Sequence, residues 1–156
     1  MSDNVYLGNP NLKKANTPIE WTEEMMVEFL KCKEDPVYFA KNHVKIVSLD
    51  EGLTQFEPYH FQEKLINNFH SNRFNICKMP RQTGKSTTVV SYLLHYAVFN
   101  DSVNIGILAN KAATARELLG RLQTAYENLP RWMQQGIIAW NKGSLELENG
   151  SKILAA

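Results

Sequence analysis

The chain has 156 residues, 44% of them hydrophobic, and a formal charge of +1. That is enough apolar content for one core and one domain's worth of chain, which excludes wholesale disorder. It supplies no strong field, and the basic residues are scattered: Lys13 with Lys14, Lys41 with Lys45, Arg121 and Arg131. Nucleic-acid binding therefore cannot be read from composition. No apolar run reaches the ~18 residues of a membrane span, and the start Met1-Ser2-Asp3-Asn4 has no signal pattern, so a soluble intracellular protein is expected. Cys32 and Cys77 lie in unrelated segments without metal-ligand spacing and are expected to be buried free thiols.

Residues 1–20, rich in Asn, Pro and Lys, read as an irregular lead-in. A helix is expected to start at Thr22. Its hydroxyl can cap, Glu23 and Glu24 suit the positive end of the dipole, and Trp21 can staple onto Met26. Met26, Phe29 and Leu30 then share a face expected to be core. Pro36 restarts a helix to about Asn42, followed by a strand over 44–49. Pro58 opens another helix, with Phe61, Leu65, Ile66 and Phe69 on one side and Gln62 near its start.

Residues 73–79 alternate, with Phe74 and Ile76 on one face, and predict a strand. Met79-Pro80-Arg81-Gln82-Thr83-Gly84-Lys85-Ser86-Thr87 follows it. The next residues, to Phe99, are long, largely apolar and free of Gly and Pro, as a buried helix would be. A Gly-Lys-Ser at a strand-to-helix turn is the core of a phosphate-binding loop. Its backbone N–H groups wrap a triphosphate, Lys85 meets the outer phosphates, and the Ser86 hydroxyl can hold Mg²⁺. The full pattern asks for a Gly at position 79, where Met79 stands. Gln82, Thr83, Gly84 and Thr87 complete the candidate loop. Gln62 can offer both edge atoms of its amide to an adenine.

Further along, 102–109 reads as a buried strand. A helix from Lys111 to about Asn128 follows, with Ala115, Leu118, Leu119, Leu122 and Tyr126 inward. Strand, helix, strand, helix is the grammar of an α/β sheet with crossover connections. A short strand over 136–140 and a hairpin around Asn149-Gly150 complete the chain.

A phosphate-loop ATPase also needs a carboxylate pair at the end of a buried strand. Nothing after Thr87 fits. Asp50-Glu51 ends an apolar run but precedes the loop. The last residues, Ile153-Leu154-Ala155-Ala156, stop inside an apolar strand, so a fragment of marginal stability is expected. The expected division is 1–55, a lead-in and helical subdomain, and 56–156, the first part of a P-loop ATPase domain.

With these residues in view, the chain resembles the large terminase subunit of tailed bacteriophages, in its T-even-like branch. The resemblance runs from Gly8-Asn9-Pro10-Asn11-Leu12-Lys13-Lys14 to the end. It includes Trp21-Thr22-Glu23-Glu24-Met25, Gly106-Ile107-Leu108-Ala109-Asn110-Lys111 and, most distinctively, Trp140-Asn141-Lys142-Gly143-Ser144-Leu145-Glu146-Leu147-Glu148-Asn149-Gly150-Ser151. It implies a P-loop NTPase fold of the RecA/helicase-like kind, with an incomplete parallel-sheet core. ATP and Mg²⁺ are the implied cofactors. The implied function is ATP binding in the motor that packages double-stranded DNA into the prohead.

The family's Arg-bearing loop maps onto Arg81, which can act in cis on the γ-phosphate beside Lys85, the two implied catalytic residues. Its adenine-contacting glutamine maps onto Gln62, while its second glutamine stands here as Glu57. Double-stranded DNA, a portal protein, a small terminase subunit and further copies in a ring are the implied partners, in the cytoplasm of an infected bacterium and transiently at the portal. The carboxylate pair, coupling motif and nuclease domain of that family would lie beyond Ala156. A superfamily-2 helicase fragment and a non-catalytic docking module are the alternative readings of the same residues.

Overall fold

The computed structural model describes residues 4–156. A short hairpin, β1 (Val5–Tyr6) and β2 (Asn9–Lys13), occupies the expected irregular lead-in. It forms because its far end is held. Lys14 bridges Ile137, the Lys13 N–H donates to Gln134 Oε1 at 3.1 Å, and Leu12 is buried. None of these partners lies near in sequence, so no local pattern announced the hairpin.

Helices α1 (Glu23–Glu34) and α2 (Pro36–His43) start where the capping chemistry puts them. Thr22 Oγ1 accepts the Met25 N–H at 3.2 Å, and Asp35 Oδ1 accepts those of Val37 and Tyr38 at 3.0 and 3.1 Å. The expected core face of α1 is a correction. Of the three expected residues Phe29 does pack on the core, but Met26 and Leu30 are 48% and 57% exposed, and Cys32 is buried beside Phe29 in their place. Aromatic packing decides this: the Phe29 ring lies 5.0 Å from Phe99, and Trp21 packs on Phe29 and Trp132.

A second hairpin follows, β3 (Lys45–Ser48) and β4 (Gly52–Gln55), the latter unforeseen. Then come α3 (His60–Ser71) and α4 (Lys85–Phe99). Helix α4 is the centre of the molecule. It packs against α2, α3 and α5 (Ala112–Glu127), and Thr88, Val90, Ser91, Leu94, His95 and Val98 are buried along it. A helix enclosed on several sides carries apolar residues around its circumference, which is why its pattern read as an unbroken apolar run. Helix α5 buries Ala115, Leu119, Leu122 and Tyr126 as its period predicts, with Leu118 half-buried.

The remaining strands, β5 (Asn104–Ile107), β6 (Ile137–Trp140), β7 (Ser144–Leu147) and β8 (Lys152–Ala155), form one sheet in the order β5-β8-β7-β6. Only β5 and β8 pair in parallel, Ile105 opposite Ile153; the other two pairings are antiparallel. The α/β class holds, with a mixed sheet in place of a parallel one. Gly150 sits at φ +85° in the β7–β8 turn, a conformation that glycine takes without steric cost. Asn149 locks this turn to the end of α4. Its Nδ2 donates to the carbonyls of Ala97 and Asn100 at 2.8 and 3.1 Å, which the helix itself leaves unpaired.

The predicted strand at 73–79 does not form. Phe74 is 82% exposed and Ile76 fully so, and no described strand pairs with them. Alternation marks a segment able to be a strand, but a strand exists only through its ladder partners. Here the residues sit outside the sheet. The adjoining space, a cavity of about 550 Å³ between α3, α4 and the open edge of β5, is lined by Phe69, Val89, Tyr92, Leu93 and Ile105.

Candidate functional site

The loop between residue 79 and α4 has an unusual backbone. Gln82 and Gly84 both adopt left-handed conformations, at φ +60° and +71°. Alternation of this kind turns successive N–H groups toward one side, the arrangement of an anion-binding nest. Thr83 Oγ1 donates to the Pro80 carbonyl at 2.9 Å and closes the loop on itself.

Gly84 is the N-cap of α4, a 15-residue helix with no acidic side chain in its first turn. The first bond back to Gly84 is made by the Thr88 N–H, at 3.0 Å, and the Thr88 hydroxyl donates to the same carbonyl at 2.8 Å. The N–H groups of Lys85, Ser86 and Thr87 precede that bond and have no acceptor among the described residues. Free N–H groups and the positive end of a helix dipole thus coincide at the start of α4, with Lys85 its first, exposed residue. The Ser86 hydroxyl, at the second helical position and half-buried, also lacks a protein partner among the described residues.

Gln62 lies 3% exposed at the third position of α3, and its amide is already engaged. Its Oε1 accepts the Tyr59 N–H at 2.8 Å, and its Nε2 donates to the Gly84 carbonyl at 3.3 Å. Gln62 therefore ties the start of α3 to the start of α4, across 22 residues of sequence. One amide hydrogen and one lone pair are left for a ligand.

Of the predicted residues, the fold brings Gln62, Gly84 and Thr87 to one cleft of about 530 Å³. Arg81, Gln82 and Lys85 lie exposed on the loop, and Thr83 is half-buried. Tyr59, Glu51 and Glu57 are among the further residues that line the same cleft. Tyr59 is 70% exposed and stacks on Phe61 with ring centroids 5.9 Å apart and planes 10° from parallel. The expected apolar side of this helix is divided by the fold: Ile66 is buried, whereas Phe61 is 44% exposed and pairs with Tyr59 beside the cleft. The β3–β4 turn carries Glu51 to the cleft, although it precedes the loop by more than thirty residues.

The two thiols divide. Cys32 is buried as expected, whereas Cys77 is exposed, because the segment that carries it stands outside the sheet. No helix among the described residues is long and apolar enough to cross a membrane.

Comparison with known families gives one finding. Residues 76–156 match a family model described as the terminase large subunit, T4likevirus-type, N-terminal. The match begins just ahead of the phosphate loop and takes in α4, α5 and the whole mixed sheet.

Proposed function

Because the chain belongs to the family of N-terminal regions of T4-like large terminase subunits, we propose that it binds ATP with Mg²⁺ at residues 81–87 and serves as the nucleotide-binding part of a DNA-packaging motor. The observation that carries this reading is the set of unpaired N–H groups at Lys85, Ser86 and Thr87, presented by a left-handed loop at the head of a long helix. In this reading the core is the beginning of a P-loop NTPase fold.

The roles follow from the geometry. The N–H groups of residues 85–87 and the loop backbone at Gln82 and Thr83 hold the phosphates, and Lys85 offsets their charge. Ser86, whose hydroxyl is uncommitted, would hold Mg²⁺. That ion would neutralise phosphate charge when bound with the nucleotide. Arg81 is exposed on the loop and carries a guanidinium suited to the γ-phosphate. The base would lie in the cleft against Tyr59, with the spare amide positions of Gln62 at its edge. Gln62 acts chiefly by fixing Gly84, so its contribution to base selection is partial.

In the packaging motor of this family, double-stranded DNA, the portal protein, the small terminase subunit and further copies in a ring are the partners we assign. The setting is the cytoplasm of an infected bacterium, at the portal during packaging. Glu51 and Glu57 are the carboxylates available in the same cleft for polarising water.

The test is ATP·Mg²⁺ binding by calorimetry, with Lys85→Ala and Ser86→Ala beside the wild type. Lys85→Ala is expected to weaken binding by about ten- to a hundredfold, since a charge-assisted phosphate contact is worth roughly 1.5–3 kcal/mol. Ser86→Ala is expected to reduce the Mg²⁺-dependent part of the affinity alone. A folded wild type with no affinity for ATP would overturn the reading and leave a docking module.

A further inference from the structure

Apart from the phosphate loop, the described residues bring together one group of metal-binding side chains. Glu28 and Cys32, one helical turn apart, share a face of α1, and His43 ends α2. One donor atom from each, a Glu28 carboxylate oxygen, the Cys32 sulfur and a His43 ring nitrogen, lies within 4.8 Å of the other two. Glu28 Oε1 is the hub, 2.8 Å from His43 Nε2 and 3.8 Å from Cys32 Sγ. We propose that Glu28, Cys32 and His43 bind a single divalent ion of the zinc class at the corner between α1 and α2.

Four observations lead to this. The donor set of thiolate, imidazole and carboxylate is that of tetrahedral zinc sites, in which neighbouring donors stand roughly 3.3–3.6 Å apart. The observed separations bracket that spacing, so small side-chain rotations suffice. The second oxygen of Glu28 is held from behind: Tyr38 donates its hydroxyl to Oε2 at 2.9 Å, which aims Oε1 at the other donors. An entry path exists, because Cys32 is buried but the side chains of Glu28 and His43 keep 27% and 14% of their surface open. Charge balances as well. Cys32 releases its thiol proton to solvent, and the thiolate and carboxylate together neutralise a dication while His43 stays neutral. The fourth position is left to water.

Such an ion would do structural work. It would clamp α1 to α2, and the Cys32 carbonyl already accepts the Nε2–H of His95 in α4 at 2.8 Å. The helical layer would thereby be stiffened against the helix that heads the phosphate loop. Sequence spacing alone hid the site, since its ligands are split between two helices and only the turn at Asp35-Pro36 brings them together.

The experiment uses the full chain carrying Cys77→Ser, which removes the exposed thiol that would bind metal adventitiously. The metal-free protein is titrated with Co²⁺ and then Zn²⁺. Expected are one equivalent of Co²⁺, a thiolate-to-cobalt charge-transfer band with the visible bands of a four-coordinate ion, and displacement of both by Zn²⁺. Zn²⁺ at a hundredfold excess over its dissociation constant should raise Tm by about 5–10 °C. Cys32→Ser should abolish the charge-transfer band. His43→Gln, which keeps a hydrogen-bond donor to Glu28 and so preserves the helix corner, should weaken Co²⁺ binding at least about a hundredfold. Absence of the thiolate band in the Cys77→Ser protein, or its persistence in Cys32→Ser, would overturn the proposal, as would a Tm indifferent to Zn²⁺.

Discussion

The contact between Gln62 and Gly84 makes a quantitative demand on the loop ahead of α4. A Cβ placed on Gly84 would stand 2.5 Å from Gln62 Nε2, and the backbone there has φ +71°. Gly84→Ala therefore has two separable costs. Holding an L-residue in the left-handed region costs about 1–2 kcal/mol, of which roughly 0.4–1 is returned through a stiffer unfolded chain. Displacing Gln62 breaks the 3.3 Å bond to the Gly84 carbonyl and strains the 2.8 Å bond to the Tyr59 N–H. For a side chain that is 3% exposed, we put that at about 1–2 kcal/mol. The sum is about 2 kcal/mol, or a fall in Tm of about 4–8 °C for a chain of this size.

Urea denaturation of four proteins tests the mechanism: wild type, Gly84→Ala, Gln62→Ala and the double variant. Truncating Gln62 opens the space for the new methyl group, so in that background Gly84→Ala should cost only the backbone term. The cycle should give a coupling of about 1 kcal/mol. Additivity within about 0.3 kcal/mol would refute the clash, and a Gly84→Ala cost under about 0.5 kcal/mol would refute the left-handed conformation as well.

Two further predictions concern the body of the protein. Gln134 is 4% exposed and joins three segments: its Oε1 accepts the Lys13 N–H, and its Nε2 donates to the carbonyls of Asn11, Tyr126 and Leu129. Gln134→Ala takes the partner from the Lys13 N–H and the Leu129 carbonyl around a small void, while the Tyr126 carbonyl keeps the Leu129 N–H. It should cost about 2–4 kcal/mol in chemical denaturation, with a value near zero refuting the network. His95 is buried against Phe39 and Phe99, and burial pulls its pKa from the ordinary 6.5 down to about 4. The unfolded chain then takes up a proton at a pH where the folded one does not, so stability falls as pH drops from about 6.5 to 4. The loss approaches about 3 kcal/mol at the lower end. Comparing wild type with His95→Phe between pH 7 and 4.5 should show the slope reduced in the variant; equal slopes would mean that His95 titrates normally.

The helix start at Lys85 was legible in the sequence because the residues that mark it, Gly84-Lys85-Ser86, are local. Left-handed residues, a helix start and a lysine within seven positions need no distant partner to be recognised. The helices were legible for a similar reason. Thr22 and Asp35 cap over three residues, and the period of α5 states its buried face directly. What failed was each inference that depended on a partner elsewhere. Met26 and Leu30 are as apolar as core residues, but of their expected face only Phe29 meets a distant partner, Phe99. The β1–β2 hairpin rests on Gln134, about 120 positions away.

The segment at 73–79 shows most sharply where local reading stops. Its alternation is genuine, with Phe74 and Ile76 separated by polar residues, and it stands immediately ahead of the loop. A strand in that place would contribute its backbone to a neighbouring edge and its apolar side chains to a core. The structure presents both halves of that requirement unmet: β5 lies at the rim of its sheet, and the cavity beside it is walled by Val89, Leu93 and Ile105. Phe74 and Ile76 meanwhile face solvent at a cost of roughly 1.5–3 kcal/mol each relative to burial. The loop ahead of α4 is therefore anchored on one side, by α4 and by Gln62, and has no strand to hold it on the other. Its geometry at Gly84 is fixed by the fold around α3 and α4, while the approach to Met79 is fixed by little beyond the chain itself. That asymmetry places the rigid half of the loop where the unpaired N–H groups of Lys85, Ser86 and Thr87 are.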